Sequence, residues 1–202
     1  MRILCVSDVV VPSLYPETDR SFFRDIHLIL ACGDLPPEYV AFLYHVFNVP
    51  CLYVMGNHDL RYGARPPMGC IDAHARIVKV RGLRIMGLEG SRWYNGGPNQ
   101  YSEAGMRRVL RRMAIPLWWN KGVDIIMTHA PPFGIHDAPD RCHRGFECFK
   151  TLIDRKRPQY FIHGHIHRQF NSPDERVTVV NTTKVINAYG YIIIEHPDGP
   201  DT

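Results

Sequence analysis

Carboxylate, amide and imidazole side chains follow several short apolar runs of this chain. In chain order the runs deliver Asp8, Asp34, Asn57 with His58, His129, and His165 with His167. Oxygen and imidazole donors without thiolate suit divalent or mixed-valence first-row ions, and manganese, iron, zinc and nickel are all compatible with them. Two such ions about 3.5–4 Å apart stabilise both the attacking and the leaving oxygen of an in-line displacement at phosphorus. These residues therefore indicate a two-metal site for phosphate-ester hydrolysis.

Short buried strands are expected to position these side chains. The apolar runs cover residues 3–6, 27–32, 51–55, 123–127 and 160–162, and they are rich in Val, Ile and Tyr. Helical spacing begins at Pro36-Pro37-Glu38, at Ser102-Glu103 and near Phe146. Alternating strands and helices predict an α/β sheet, in which ligands bind beyond the carboxyl ends of the strands. Segments that are distant in sequence are therefore expected to meet at one site.

Two other regions indicate antiparallel pairing. Residues 76–80 and 83–88 flank Arg81-Gly82 and predict a hairpin, and residues 177–180, 184–186 and 191–195 predict an antiparallel meander. The 202 residues are 45% hydrophobic and 22% charged, without a repeat or a linker, which is typical of a globular protein. We expect one domain over residues 1–202, with either a mixed sheet or two sheets.

The order of the polar segments resembles the calcineurin-like metallophosphoesterase family. The segments similar to its motifs are Ser7-Asp8-Val9-Val10, Gly33-Asp34, Gly56-Asn57-His58-Asp59, Thr128-His129 and Gly164-His165-Ile166-His167. The resemblance implies a four-layer α/β/β/α sandwich of two mixed β-sheets flanked by helices. It also implies a dinuclear-metal phosphoesterase that hydrolyses a small phosphodiester or phosphomonoester by attack of metal-bound hydroxide. Small uncapped members of the family favour a diester.

The same resemblance implies a role for each motif residue. The implied ligands are Asp8 and His167 for the first ion, Asn57, His129 and His165 for the second, and Asp34 as the bridge between them. His58 would approach the leaving-group oxygen as a general acid or hydrogen-bond donor. Asp59 would orient the ring of His58. His58 and Asp59 are therefore the candidate catalytic residues.

One motif departs from the family pattern. A histidine two residues after Asp8 is replaced by Val10, and valine cannot bind a metal. The first ion is therefore expected to bind more weakly than the second, unless Ser13 or Tyr15 supplies a ligand. The alternative function is a non-catalytic or weakly active scaffold or binding protein with a degraded first-metal site. Because the other ligand positions and His58 are kept, hydrolysis is the favoured function.

Two polar loops are candidates for substrate binding. In the loop after His129, either His143 or Arg144 would meet the phosphate, or the loop would be an ordinary one held by hydrogen bonds of Asp137. In residues 92–101, Asn95 and Tyr101 would belong to a pocket rim that stacks a base or aryl group. The alternative for this segment is a plain connection before the next helix.

The expected partner is the small phosphate ester that the family resemblance implies, an oligomer stays possible, and the charge indicates neither nucleic acid nor a membrane. Lys and Arg total 24 against 20 acidic residues, and a net charge of +4 is too small to indicate wrapping of nucleic acid or membrane binding. The arginines at 107, 108, 111 and 112 favour a solvated face over a nucleic-acid surface, and Trp118-Trp119 favours a core or oligomer contact. No apolar stretch approaches 18 residues. With six scattered cysteines, the expected location is the reducing cytoplasm.

Overall fold

The computed structural model describes residues 1–14, 23–168, 170 and 172–197. Its helices are α1 (Pro37–Phe47), α2 (Glu103–Arg112), α3 (Ala114–Trp119) and α4 (Glu147–Lys156). Its strands are β1 (Arg2–Ser7), β2 (Ile26–Ala31), β3 (Cys51–Tyr53), β4 (Ile71–Asp72), β5 (Ile77–Val80), β6 (Leu83–Leu88), β7 (Ser91–Arg92), β8 (Gln100–Tyr101), β9 (Ile125–Thr128), β10 (Tyr160–His163), β11 (Val177–Val180), β12 (Thr183–Asn187) and β13 (Gly190–Glu195).

The strands form two large mixed sheets. In the first sheet the order is β13-β1-β2-β3-β4, with β13 antiparallel to β1 and the other neighbours parallel. In the second sheet the order is β11-β12-β10-β9-β6-β5, with parallel strands in the middle and antiparallel strands at both edges. A short parallel pair, β7-β8, lies apart from them. Each large sheet therefore presents several carboxyl strand ends at one of its edges.

The apolar side chains divide the molecule into four layers. Ile3 of β1 faces the second sheet and packs in one cluster with Ile125 of β9, whereas its neighbour Leu4 packs with Leu43 of α1 on the outer face. Helices α2, α3 and α4 cover the outer face of the second sheet, where Phe149 is one of the fully buried residues. Because both faces of the central strands are covered, their sequences are continuously apolar. The α/β/β/α sandwich implied by the family resemblance is confirmed.

Most of the elements predicted from the sequence lie where they were expected. Helices α1, α2 and α4 are confirmed, and the Ser102 hydroxyl caps α2 by accepting the Gly105 N–H at 3.0 Å. The predicted hairpin is β5-β6. The predicted C-terminal meander is wrong in its last strand, because β13 leaves β12 and pairs with β1 in the other sheet. This pairing covers the backbone groups that β1 would otherwise expose at its edge.

Helix α3 was not predicted, and its tryptophans are not in the core. Pro116 lies in its first turns, and Leu117 is its buried residue. Trp118 and Trp119 are 75% and 76% exposed, so the expected core position is wrong. Among the described residues, no helix combines the length and the apolar character needed to cross a bilayer.

Candidate metal centre

The loops that follow five parallel strands converge where the two sheets meet. The side chains they carry are Asp8 after β1, Asp34 after β2, Asn57 after β3, His129 after β9 and His165 after β10. Several contacts join the sheets at this point, two of them through the backbone. The backbone N–H of His165 donates to the Asp8 carboxylate at 3.0 Å, and the His129 imidazole lies 2.9 Å from the Cys32 carbonyl oxygen. The topology therefore brings together residues that lie far apart in the sequence.

The residues expected around the second ion form one tight cluster. Ligand atoms of Asp34, His129 and His165 all lie within 4.8 Å of one another. His129 Nε2 lies 3.3 Å from Asp34 Oδ2 and 3.0 Å from Asn57 Oδ1. His129 is fully buried, and His165 and Asn57 are only 3% exposed. A buried carboxylate, an amide oxygen and two imidazoles form a donor set that suits a first-row divalent cation.

Hydrogen bonds to backbone carbonyls determine which ring nitrogen of His129 and of His165 could bind a cation. His129 Nδ1 lies 2.9 Å from the Cys32 oxygen, and His165 Nε2 lies 2.8 Å from the Cys142 oxygen. Because a carbonyl oxygen can only accept, these nitrogens carry the hydrogen. The lone pairs left for a cation are then on His129 Nε2 and His165 Nδ1. Histidine ligands are commonly oriented in this way by a second partner.

The charge and hydrogen bond that Asp34 and His129 share shift the pKa of each residue against the effect of burial. Burial by itself would raise the pKa of Asp34, but the charge and hydrogen bond of His129 outweigh it and lower that pKa to about 2. Burial opposes charge on His129 as well, yet Asp34 raises the pKa of His129 to about 9. Burial lowers the pKa of His165 to about 4. A bound cation would take over the role of the His129 proton beside the Asp34 carboxylate.

The residues expected around the first ion are fewer and more exposed. His167 Nε2 lies 3.2 Å from Asp8 Oδ1, and the side chain of His167 is 53% exposed whereas that of Asp8 is fully buried. Val10 is 40% exposed and adds no donor. Ser13 lies in a 3-10 turn at Pro12–Leu14, and Tyr15 lies outside the described residues. This set is smaller than the one around Asp34, which agrees with the weaker first site expected from Val10.

Two motif glycines allow the ligands to lie directly against the backbone. A Cβ on Gly56 would lie 2.1 Å from Asp34 Oδ1, and a Cβ on Gly164 would lie 1.8 Å from the Ser7 hydroxyl and 2.7 Å from Asp8 Oδ2. None of these three distances is compatible with van der Waals contact. Both glycines are therefore required by the packing of metal ligands against neighbouring loops.

Gly164→Ala is expected to displace Ser7 and Asp8 and to lower the free energy of unfolding by about 2 kcal/mol, as overpacking of a close-packed site does. Cation binding should weaken along with it. Thermal and urea unfolding measure the first effect, and calorimetric titration with manganese measures the second. Gly63→Ala is the matched control, since a Cβ there meets no atom within 4 Å. Equal stability of the two variants would contradict the close approach.

His58 and Asp59 have different roles in the structure. The backbone N–H of His58 donates to Asp34 Oδ1 at 2.8 Å, whereas its exposed ring makes no hydrogen bond with any described residue. The Asp59 carboxylate accepts the backbone N–H groups of Asp34, Leu35 and Gly56 at 2.8, 3.1 and 2.7 Å. The expectation that Asp59 orients the His58 ring is therefore wrong. Asp59 instead holds the Asp34 and Gly56 loops together, and burial raises its pKa to about 6.

Of the two candidates in the loop after His129, only His143 lies at the site. Its ring centroid is 5.2 Å from that of His165, and its Nδ1 is 3.0 Å from the Asp140 carboxylate. The Arg144 guanidinium stacks over the Phe133 ring at 4.9 Å and lies 4.0 Å from Glu147. The Arg144 side chain is therefore engaged with Phe133 and Glu147, and its contact with a phosphate stays a prediction.

Hydrogen bonds of Asp137 hold the same loop together, which was the alternative to a role in phosphate binding. The two Asp137 carboxylate oxygens accept the backbone N–H groups of Gly134 and Gly145, each at 3.0 Å. This arrangement closes the loop on itself and supports the segment that carries His143. Asp137 is therefore a positioning residue for the loop.

In residues 92–101, Tyr94 reaches the metal ligands and the two predicted residues do not. Asn57 Nδ2 donates to the Tyr94 hydroxyl at 3.2 Å. The Tyr101 hydroxyl instead donates to the Glu89 carboxylate, and Asn95 Oδ1 accepts from Gln100 Nε2 at 2.7 Å. Asn95 and Tyr101 are therefore engaged within the protein, and their contact with a substrate stays a prediction. The sequence pointed to this segment by its aromatic and amide content, but it did not single out Tyr94, whose hydroxyl meets Asn57 only in the folded chain.

A chain of neutral histidines supports the loop that carries His165. His163 Nδ1 lies 3.0 Å from the Gly164 oxygen, His163 Nε2 lies 2.9 Å from His136 Nδ1, and His136 Nε2 lies 2.8 Å from the Thr178 hydroxyl. Because the Gly164 carbonyl only accepts, it determines the tautomer of both rings. Burial lowers the pKa of His136 to about 4 and that of His163 to about 3. Sequence reasoning missed this chain, since neither residue belongs to a motif.

The lowered pKa of His136 predicts that the folded protein loses stability in mild acid. Its pKa is lower in the folded protein than its ordinary 6.5, so the unfolded chain binds more protons between pH 6.5 and pH 4. The contribution of neutral His136 to the free energy of unfolding is fully present above pH 6.5. It falls by roughly 3 kcal/mol as the pH drops towards 4. Urea unfolding of His136→Gln should show a flatter pH dependence than the wild type. His45→Gln, on the exposed surface of α1, should keep the wild-type slope; equal slopes in both variants would contradict the assignment.

Comparisons with known proteins agree with this geometry. A family model described as calcineurin-like phosphoesterase matches residues 1–169. The human metallophosphoesterase domain-containing protein 1 is 32% identical, over 98% of this chain and 69% of that protein. A probable metallophosphoesterase of Methanothermobacter thermautotrophicus is 31% identical over 52% of this chain and 59% of its own. The crystal structure of TT1561 of Thermus thermophilus, at 16% identity, aligns with a TM-score of 0.62 over 94% of this chain and 89% of that one.

Proposed function

The chain belongs to the calcineurin-like phosphoesterase family, and on this basis we propose that it hydrolyses a small phosphodiester in preference to a phosphomonoester. The observation that carries the proposal is the buried cluster of Asp34, His129 and His165 beside Asn57. This cluster places a carboxylate, an amide oxygen and two imidazoles where they could hold a catalytic cation together.

The residues present fit a pair of cations. Asn57, His129 and His165 would hold one ion, Asp8 and His167 the other, and Asp34 would lie between them. Bound cations would neutralise charge on the phosphate and lower the pKa of the attacking water. The donor chemistry favours manganese, iron, zinc or nickel over calcium, since calcium prefers oxygen ligands alone.

His58 is suited to proton transfer at the leaving group. Its backbone is held by Asp34, while its exposed ring is free of hydrogen bonds to the described residues. The ring borders a cavity of about 220 Å³ whose lining also includes Leu35, Pro36 and Leu60. An apolar leaving group seated there would have its oxygen within reach of His58, which would donate a proton to it.

His143 and Tyr94 would contact the rest of the ester. His143 is anchored through Nδ1 to Asp140, and its ring faces that of His165. Its Nε2 would then meet a phosphate oxygen. The Tyr94 hydroxyl, next to Asn57, lies on the same side. His143 and Tyr94 would then bind one ester substituent while His58 meets the other, which favours a diester.

Hydrolysis of bis-p-nitrophenyl phosphate and of p-nitrophenyl phosphate tests this proposal. We expect manganese-dependent hydrolysis of both, with a kcat/KM for the diester at least about tenfold higher, a difference of about 1.4 kcal/mol in transition-state binding. EDTA should abolish the activity and added manganese should restore it. Hydrolysis of neither ester at any added cation would overturn the proposal, and a preference for the monoester would overturn its diester part.

A binding protein without catalysis is the second candidate, and Val10 is the observation that favours it. The pair Asp8 and His167 lacks the third donor that the family pattern places at Val10. A protein of this kind would retain one tightly bound cation at Asp34 and would hydrolyse neither ester. Measurement of the metal content alongside the hydrolysis assay separates the two functions.

Val10→His is expected to strengthen the first site. The wild type should bind one cation tightly and a second one at least about tenfold more weakly, and the variant should reduce that difference, since each ligand is worth a tenfold factor or more. Calorimetric titration with manganese measures both affinities. Val9→His is the matched control, since Val9 is adjacent and similarly exposed at 36%. Equal affinities of the two wild-type sites would contradict the prediction.

A further inference from the structure

Helix α3 presents an apolar ridge to solvent, which we call the tryptophan face and define as Ile115, Trp118 and Trp119. These side chains are 75%, 75% and 76% exposed. The two indole rings stand edge to face with centroids 6.4 Å apart, and only the intervening Leu117 is directed into the core. Three large apolar side chains clustered on one short helix are more than the isolated exposed residues of an ordinary surface.

Exposed cations flank the tryptophan face along the chain. Arg108, Arg111 and Arg112 of α2 and Lys121 after α3 are all exposed. None of the four forms an ion pair within the part of the chain that the structure describes, whereas Arg107 on the same helix lies 3.1 Å from Glu103. These four cations are therefore available to bind an anion from outside the protein.

A groove with the same chemistry adjoins the face. It lies between α2, α3 and α4, has a volume of about 380 Å³, and has an apolar floor that includes Leu110, Leu117 and Leu152. Its rim carries Arg107, Arg111, Arg155 and Lys156. An apolar floor below a cationic rim suits an amphiphile with a negatively charged head.

We propose that the tryptophan face docks this protein on a bilayer surface rich in anionic phospholipid. Tryptophan favours the level of the lipid headgroups, where its ring is buried and its N–H stays hydrated. Arginines beside it would pair with the phosphates, and each basic residue near the surface adds to the affinity. Apolar insertion together with a basic patch supplies the two signals that stable peripheral binding requires.

The sequence-based expectation of no membrane partner does not conflict with this proposal. That expectation came from the small net charge and from the lack of an apolar run that could span a bilayer, whereas the proposed helix lies on the surface. A second copy of the chain is a poorer occupant, since a two-fold contact would bring the Arg111 and Arg112 groups of both copies together. The metal ligands remain accessible, because α3 ends just before β9 begins and His129 follows the other end of that strand.

Flotation with lipid vesicles tests the proposal. The wild type should bind vesicles of phosphatidylcholine that contain about 30% phosphatidylglycerol, and it should bind pure phosphatidylcholine at least about tenfold more weakly. Tryptophan emission should shift to shorter wavelength on binding. The double variants Trp118→Ser/Trp119→Ser and Arg111→Glu/Arg112→Glu should each lose at least about tenfold in affinity.

Arg24→Glu/Arg65→Glu is the matched charge control. It changes the net charge by the same amount with two exposed arginines that form no ion pair among the described residues, beside β2 and in the loop after His58. It should bind the vesicles within about twofold of the wild type. Circular dichroism melting reports whether each variant is folded. The salt dependence of the wild type gives a readout without any substitution, since binding should fall at least about tenfold between 0.05 and 0.5 M salt.

Several outcomes would overturn the proposal. Absence of the wild type from the anionic vesicles is one, and a control that loses as much affinity as Arg111→Glu/Arg112→Glu is another. Binding that is unaffected by Trp118→Ser/Trp119→Ser would show nonspecific charge attraction only. A dimer in light scattering that this variant converts to a monomer, without vesicle binding, would assign the face to a second copy. None of these results bears on hydrolysis, which is measured separately.

Discussion

Asp34→Asn is expected to lower kcat/KM for a phosphodiester by about 10³-fold or more and to weaken cation binding by at least about tenfold. The substitution removes the charge that lies 3.3 Å from His129 and keeps the size of the side chain. It also weakens the acceptor of the His58 backbone N–H. Metal content after dialysis and manganese-dependent hydrolysis of bis-p-nitrophenyl phosphate measure the two effects.

Asp174→Asn is the control for Asp34→Asn. Asp174 is exposed in the 3-10 turn at Pro173–Arg176, away from the cluster, and its substitution removes the same charge. It should leave activity and metal content within about twofold of the wild type, as a surface change far from a site does. Undiminished hydrolysis by Asp34→Asn would exclude a bridging carboxylate at this position.

His58→Ala is expected to lower kcat/KM far more for esters with poor leaving groups than for esters with good ones. A general acid contributes about 10²- to 10⁴-fold when the leaving oxygen needs a proton, and p-nitrophenolate leaves without one. We therefore expect a loss of about 10³-fold with an alkyl or ribosyl diester and of less than about tenfold with bis-p-nitrophenyl phosphate. The dependence of kcat/KM on the pKa of the leaving group should be steeper in the variant than in the wild type.

Metal content separates this effect from damage to the centre. His58→Ala should keep the cations, because the backbone N–H that contacts Asp34 remains. His45→Ala removes an exposed imidazole from α1 and should keep wild-type rates with every ester. An equal loss with good and poor leaving groups would show that His58 stabilises the phosphate charge and does not transfer a proton.

Asp59 illustrates how a motif residue can be identified correctly while its role is not. Its position directly after His58 favours a hydrogen bond to that ring, and the residue type allows one. In the folded chain its two oxygens are instead occupied by the N–H groups of Asp34, Leu35 and Gly56. Backbone donors carry no signature in a sequence, so this arrangement is decided by the path of the chain.

Local patterns in the amino-acid sequence were sufficient to identify the family, the residues of the candidate metal centre and the helices α1, α2 and α4. Examples of such patterns are the Ser102 cap and the glycines that directly precede Asp34, Asn57 and His165. Other features became visible only in the folded chain: β13 crosses to the first sheet, the Tyr94 hydroxyl contacts Asn57, and Trp118 faces solvent. Each of these depends on contacts between segments that are distant along the chain, and side-chain type alone does not specify which distant neighbour, backbone group or solvent a residue meets.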